Sequence, residues 1–329
     1  MSLAEAESEI VLSEGSRARS GARITRQLRR VPLPALVAVG LFVVIGVVGP
    51  WLAPYDPNQV DLASVRQSFS GEHWLGTDSL GRDELSRLLT AARTSLVAIA
   101  LVLGLSILIG AVIGVVAGAT GGIVDEVLMR LTDVGLSVPS LVMALAVLGA
   151  RGPGYYNMIL ALTLCWWPAY ARLTRVAVVS LRQQPHIEAT RLIGVPPLTV
   201  LVRHLLPPAV APTLVFASGD AGFVALAVAT FSFLGLGLQP PGAEWGQMLV
   251  DGLLTLEQYP MLVVLPGLAL TLTIVGLNLL GEALALDSLP RNISRRTLRR
   301  RIAKLPPLGV GRRVDRVDEL TDAYFGRTR

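Results

Sequence analysis

Glu188–Pro207 reads EATRLIGVPPLTVLVRHLLP, a polar and charged stretch set between two long apolar runs. Gln183 to Ile193 can form a short helix, and Gly194 can end it by taking a positive φ. Val195-Pro196-Pro197 cannot carry that helix on. Leu198 to Leu206 can restart one, with Leu198, Leu201, Val202 and Leu205 on one face. Pro207-Pro208 then opens the next apolar run. The expectation is a helix–turn–helix, apolar on one side, of a form that fits a groove on a partner. An ordinary interfacial loop is the plainer alternative for the same pattern.

The runs on either side set the class of protein. Of 329 residues, 52% are hydrophobic and only 16% charged, against about 25% charged in soluble domains. Six apolar segments are long enough to span a bilayer: approximately Leu33–Leu52, Ser95–Ala119, Met129–Leu148, Met158–Val179, Ala209–Leu236 and Met261–Leu286. The first follows Arg29-Arg30 and is too long for the apolar core of a cleaved signal, so an uncleaved anchor is expected. The third is the weakest at its start, where Asp125, Glu126, Arg130 and Asp133 intrude; Glu126 and Arg130 are spaced to pair on one helix face. Gly110, Gly114 and Gly118 share a face and permit close approach of two helix backbones.

Orientation follows from the basic residues, which concentrate on the cytoplasmic side of membrane proteins. With six spans, 24 of the 29 Lys and Arg fall on one side. That side holds both tails and the 183–207 loop. The other side holds only Arg66, Arg82, Arg87, Arg93 and Arg151. The chain divides into a cytoplasmic tail (1–32), a first span with its outer loop (33–92), a five-span core with the cytoplasmic loop (93–290), and a basic cytoplasmic tail (291–329).

Several chemistries lack their residues. The single Lys, Lys304, lies in RIAKLPP, whereas a phosphate-binding loop needs G-x-x-x-x-G-K-[ST]. One cysteine, Cys165, excludes an intrachain disulfide, and the three histidines (His73, His186, His204) show no metal-ligand spacing. An intramembrane enzyme would need paired groups at one depth; only Asp133, Asp220 and Glu282 are candidates, and no G-x-S-x-G occurs. A passive channel would show an acidic ring or a filter motif, and neither is visible. The sequence therefore expects no catalytic, cofactor or metal residue of its own.

In Glu188–Pro207, Glu-Ala-Thr is followed after three residues by Gly194, and after nine more by His204, one residue and Leu206-Pro207. This resembles the cytoplasmic EAA loop of ABC-importer permeases. Four further blocks occur in the family order. HWLGTDSLGRDELSRLLTAARTSL (His73–Leu96), GGIVDEVLMRLTDVGLSVPSL (Gly121–Leu141), FSFLGLGLQPPGAEWGQML (Phe231–Leu249) and NLLGEALALDSLPR (Asn278–Arg291) resemble the C-type subunit of the dipeptide/oligopeptide permeases, and the nickel-type permeases share them. The resemblance implies an all-α membrane protein with six transmembrane helices, the type I importer fold and both termini in the cytoplasm of a bacterial cell. It implies ATPase coupling through Glu188, Ala189, Thr190, Gly194, His204, Leu206 and Pro207. It also marks outer-loop motif residues Gly76, Thr77, Asp78, Gly81, Arg82 and Asp83, together with Gly235, Gly237, Pro240, Pro241, Trp245 and Gly246. These either receive the binding protein or brace the outer bundle. The implied partners are a second, B-type permease, two ATPases that bind ATP and Mg, an extracytoplasmic binding protein and membrane lipid, with no nucleic acid. The implied cargo is a di- or oligopeptide, with nickel or another small solute as the alternative. Three departures stand out: Thr190 replaces the last residue of the triplet, Val228 stands where many relatives carry Glu, and the tail from Asn292 runs past the usual family end.

Overall fold

A computed structural model describes residues 33–288. Both expected cytoplasmic tails, 1–32 and 291–329, lie outside the described residues. Nine helices occur among those described: α1 (Leu33–Leu52), α2 (Glu84–Thr120), α3 (Gly122–Ser137), α4 (Ser140–Arg151), α5 (Tyr155–Arg182), α6 (Pro185–Leu192), α7 (Leu206–Phe233), α8 (Trp245–Leu253) and α9 (Met261–Ser288). A helical turn at Pro197–Thr199 and a π-helical turn at Val200–Leu205 lead into α7. The described residues contain no strand, only an isolated bridge between Thr77 and Asp83.

Three helices are long and apolar enough to cross a membrane alone: Glu84–Thr120, Pro197–Phe233 and Met261–Glu282. The expected third span, Met129–Leu148, is not one rod. It breaks between α3 and α4, which meet at 92°. Pro139 lacks an amide hydrogen and forces Val138 out of the helical region, to φ −86° and ψ 128°. Counted as one span, the bent pair makes a fourth. The expected fourth span lies within α5, a single helix that carries Trp166, Trp167, Pro168 and Arg172. It is less uniformly apolar because it runs through the middle of the bundle, against α2, α3, α4 and α7. A helix walled by protein need not dissolve in lipid on every face.

Lipid tails offer little hydrophobic drive between helices, so small residues and close packing do that work. A Cβ on Gly110 would lie 2.6 Å from the Cβ of Tyr170, and one on Gly114 would lie 2.4 Å from the Ala171 carbonyl. One on Gly118 would lie 2.9 Å from the Cβ of Val178. The glycine face of α2 is thus the seam with α5. A second seam joins α7 and α9, where Gly222 lies against Asn278 and Gly281 against the Ser218 carbonyl.

Three buried clusters follow α2 along its length. Ala91 and Ala92 join Trp245, Met248 and Leu270 at one end. Ala98, Ile99 and Val102 meet Leu148, Leu162, Val228 and Phe231 in the middle; Val228 is therefore a packing residue. Val115 meets Val178, Ile187, Val200 and Leu205 at the other end. Meanwhile Val44 and Val47 of α1, Leu108 and Val112 of α2, Phe223 of α7 and Leu268 and Leu272 of α9 are exposed. Apolar surface spread over so many helices suits a bilayer or a partner bundle rather than water.

Candidate functional site

Two assemblies stand at opposite ends of α2. The first is the Glu188–Pro207 segment. α6 ends at Leu192, and Gly194 follows with φ +83°, the left-handed value that only glycine adopts cheaply. Pro197 then starts the next turn from the first helical position, where its missing amide hydrogen costs nothing. Ile187, Val200 and Leu205 are buried against Val115 and Val178, so the segment is pinned to the ends of α2 and α5. Glu188, Ala189, Gly194 and Pro207 are exposed, while Thr190, His204 and Leu206 are half-buried. The Thr190 hydroxyl donates to the His186 carbonyl at 2.7 Å, an intrahelical bond.

One expectation for this segment is corrected. Leu198, Leu201, Val202 and Leu205 do not form a single outward face. Leu205 is buried and Leu201 half-buried, whereas Leu198 and Val202 are exposed. The π-helical turn over Val200–Leu205 inserts an extra residue per turn, which rotates Leu205 inward. The exposed apolar surface is instead Leu192 and Ile193, exposed by 82% and 79%, together with Leu198 at 70%. Apolar side chains so open beside a charged helix leave an uncovered apolar patch.

At the other end, the outer-loop motif residues fold into a clasp. Gly76 and Gly81 take φ of +77° and +76°. At Gly81 a Cβ would sit 1.7 Å from the Asp61 carbonyl, so no other residue fits. The Thr77 hydroxyl donates to the Ser64 carbonyl and accepts from the Gln67 amide. Asp83 caps α2, accepting from the Ser86 amide at 2.8 Å and hydroxyl at 2.6 Å, and lies 3.0 Å from His73 Nδ1. Arg82 Nε donates to Asp78 at 2.6 Å, and its Nη2 to Asp251 at 3.2 Å. Arg87 bridges the same carboxylates at 3.5 and 3.4 Å, and also donates to the Pro57 and Pro241 carbonyls. Trp245 is 1% exposed and donates from its indole to the Leu88 carbonyl at 3.2 Å.

Glu244 caps α8, accepting from the Gln247 amide and from the Ser95 hydroxyl at 2.7 Å. Burial pushes its pKa up from the ordinary 4.5, against hydrogen bonds from the Ser95 and Ser232 hydroxyls and the Gly246 and Gln247 amides. Gly237 and Gly246 are buried, with their Cβ positions against Ser232; Gly235 is half-buried with φ +73°; Pro240 and Pro241 are exposed. Residue pattern alone did not single out Ser95, Glu244 and Asp251 as structural partners. The usable signal was charge next to invariably turn-forming residues in a chain with little charge to spare.

The remaining candidates are scattered. Asp133 pairs with Arg172, Asp125 with Arg175 at 2.5 and 2.6 Å, and Glu126 with Arg130 at 3.6 Å. Asp220 accepts from the Tyr170 hydroxyl at 3.1 Å, and Cys165 is buried. No three His, Cys, Asp or Glu side chains converge as metal ligands among the described residues.

Comparison with known proteins finds a matching family and relatives. Residues 110–291 match the family described as binding-protein-dependent transport system inner membrane component. The nickel transport system permease protein NikC of Escherichia coli (strain K12) is 41% identical over 250 residues, covering 76% of this chain and 90% of that one. The probable D,D-dipeptide transport system permease protein DdpC of the same strain is 37% identical, covering 80% and 90%. The glutathione transport system permease protein GsiD of Pectobacterium atrosepticum is 39% identical, covering 76% and 86%. Among solved structures, a chain of the inward-facing MetNI methionine ABC transporter aligns at TM-score 0.44 and 20% identity, covering 60% of this chain and 96% of that chain.

Proposed function

The chain belongs to the family of binding-protein-dependent transport system inner membrane components, and from that premise we propose that it is the C-type permease subunit of an importer for di- and oligopeptides. As a member of that family it is a multi-pass permease component of an ABC importer in the inner membrane and is not itself catalytic. The proposal adds cargo, partners and coupling surface.

The observation that carries the coupling role is the Glu188–Pro207 segment. It is pinned by Ile187, Val200 and Leu205 yet presents Glu188, Leu192, Ile193 and Leu198 outward. A rigid base with an exposed apolar and acidic tip transmits force from a bound partner into α2 and α5. In this reading two ATPases bind ATP and Mg and grip the tip. Their closure rocks this bundle against a B-type permease, and the cargo passes between the two. Six spans, with both tails and residues 183–207 inside, complete the topology. Asp78, Arg82, Asp83 and Trp245 are buried, which favours bracing of the outer bundle by these motifs. Pro240 and Pro241 are exposed and remain available to a binding protein.

The names of DdpC and GsiD support a peptide cargo, since a D,D-dipeptide and glutathione are both short peptides. Nickel is the second reading, favoured by the 41% identity to NikC. Reconstitution of the chain with a second permease, the ATPases and a loaded binding protein separates them. Peptide uptake that needs ATP, with no nickel uptake, supports the first reading; the converse selects the second. Transport by this chain unaided would remove the importer-subunit assignment. For topology, Cys165 is replaced and single cysteines are placed by Leu192→Cys and Leu254→Cys, both highly exposed positions. Labelling of the Leu254 position only from the cytoplasm would overturn the six-span arrangement.

A further inference from the structure

A cavity of ≈590 Å³ lies where α2 and α5 end against the coupling segment, within the roughly 300–1,000 Å³ typical of ligand pockets. Its walls are largely apolar, from Ala119 at the end of α2 and Val195, Leu198 and Leu201 of the segment. One cation lines it, Arg182, the last residue of α5. Arg182 Nη1 donates to the Gly118 carbonyl at 2.7 Å, which ties the guanidinium to the end of α2. Asp125 acts on Arg182 through space, while its carboxylate is held directly by Nε and Nη2 of Arg175. Among the described residues no carboxylate is within ion-pair distance of Arg182, so its charge and most of its donors remain available.

We propose that this cavity binds an anionic phospholipid, with the phosphate on Arg182 and an acyl chain along the apolar wall. Two properties select that ligand. A free phosphate or nucleotide has no use for a wall of Ala, Val and Leu, whereas a zwitterionic lipid carries its own ammonium, which competes with the guanidinium for its phosphate. The site also lies at the ends of α2 and α5, and basic pockets between helices on the cytoplasmic side recruit acidic headgroups. Because Val195, Leu198 and Leu201 belong to the coupling segment, the bound lipid would wedge it against α2 and α5 and hold its tip in place. The inference rests on the proposed cytoplasmic position of the segment only for the leaflet that supplies the lipid.

The test uses the assembled transporter in nanodiscs of phosphatidylcholine with a minor fraction of phosphatidylglycerol, followed by native mass spectrometry of retained lipid. The wild type should retain phosphatidylglycerol over phosphatidylcholine, and Arg182→Gln should lower that retention roughly five-fold, the contribution of one basic residue at an acidic surface. Arg182→Lys should keep most of it, which separates charge from the Gly118 contact. Leu201→Trp, which fills the apolar wall, should also expel the lipid while leaving Arg182 in place. Equal retention by wild type and Arg182→Gln overturns the proposal. So does displacement by inorganic phosphate, which would mark a site for soluble anions. Retention by the permease pair but not by the ATPase-bound complex would assign the cavity to the ATPase interface instead. Transport is read in parallel: lost lipid selectivity with no lipid effect on transport confines the failure to this site, whereas transport without partners defeats the importer reading itself.

Discussion

Replacement of Gly194 isolates backbone conformation from packing. Gly194 has φ +83°, and a Cβ built on it meets nothing within 4 Å. The cost of a side chain there is therefore conformational strain alone, roughly 1–2 kcal/mol for an L-residue in the left-handed region and more for a β-branched one. At about 1.4 kcal/mol per factor of ten, Gly194→Ala should shift the turn roughly 5- to 30-fold away from its native pose. Asparagine tolerates this region, so Gly194→Asn should be milder. The expected order of coupling is Gly, then Asn, then Ala, then Val. The assay is binding-protein-stimulated ATP hydrolysis by the reconstituted complex, with membrane insertion as control. Wild-type coupling in Gly194→Val would refute the conformational reasoning. Equal loss in Asn and Val would refute it too, since the fault would then be a side chain at the partner contact and not φ.

Along α2, two glycines should respond with opposite sign. Gly114→Ala places a Cβ 2.4 Å from the Ala171 carbonyl and should destabilise by about 1–3 kcal/mol through overpacking, whereas Gly104 has open space and Gly104→Ala should stabilise by up to about 1 kcal/mol. Melting of the detergent-solubilised complex measures both, and a melting point raised by Gly114→Ala would contradict the α2–α5 seam. Asp251→Asn leaves the buried Arg82 and Arg87 sharing Asp78 and should cost about 1–3 kcal/mol, the range for leaving buried donors short of an acceptor; an unchanged melting point would show that the clasp does not brace. Glu244 has its pKa raised above 4.5 by burial, so the folded state holds its proton more tightly than the unfolded state. Its contribution to stability is complete below the ordinary carboxylate pKa and is lost as pH rises through the folded pKa. Glu244→Gln should flatten that decline in a melting-point series against pH, and a parallel curve would assign the decline to another group.

Much of the architecture was legible because membrane solvation writes itself into composition. Long apolar runs, the one-sided placement of arginine, and Gly110, Gly114 and Gly118 on one face each follow from local chemistry. So does the positive φ of Gly194, required where a helix meets two prolines. Hydropathy averages across Pro139, so the Met129–Leu148 run gave no sign of the 92° break that this proline fixes. The tip of the coupling segment was misread because helical periodicity assumes a constant turn, and the π-helical Val200–Leu205 turn does not keep it.

The sequence by itself determined that the chain is helical, that it lives in a membrane and that it resembles a permease. These depend on residue type and spacing, which neighbours in the chain settle. Only the tertiary structure decided that Arg82 and Arg87 share Asp78 and Asp251, that Glu244 caps α8 against Ser95, and that Arg182 lines a largely apolar cavity. Asp251 and Arg82 are 169 residues apart in the chain. Charges so distant meet only because tertiary packing sets α8 beside the start of α2, with Trp245 and Met248 against Ala91 and Ala92, and no local pattern encodes where such packing ends.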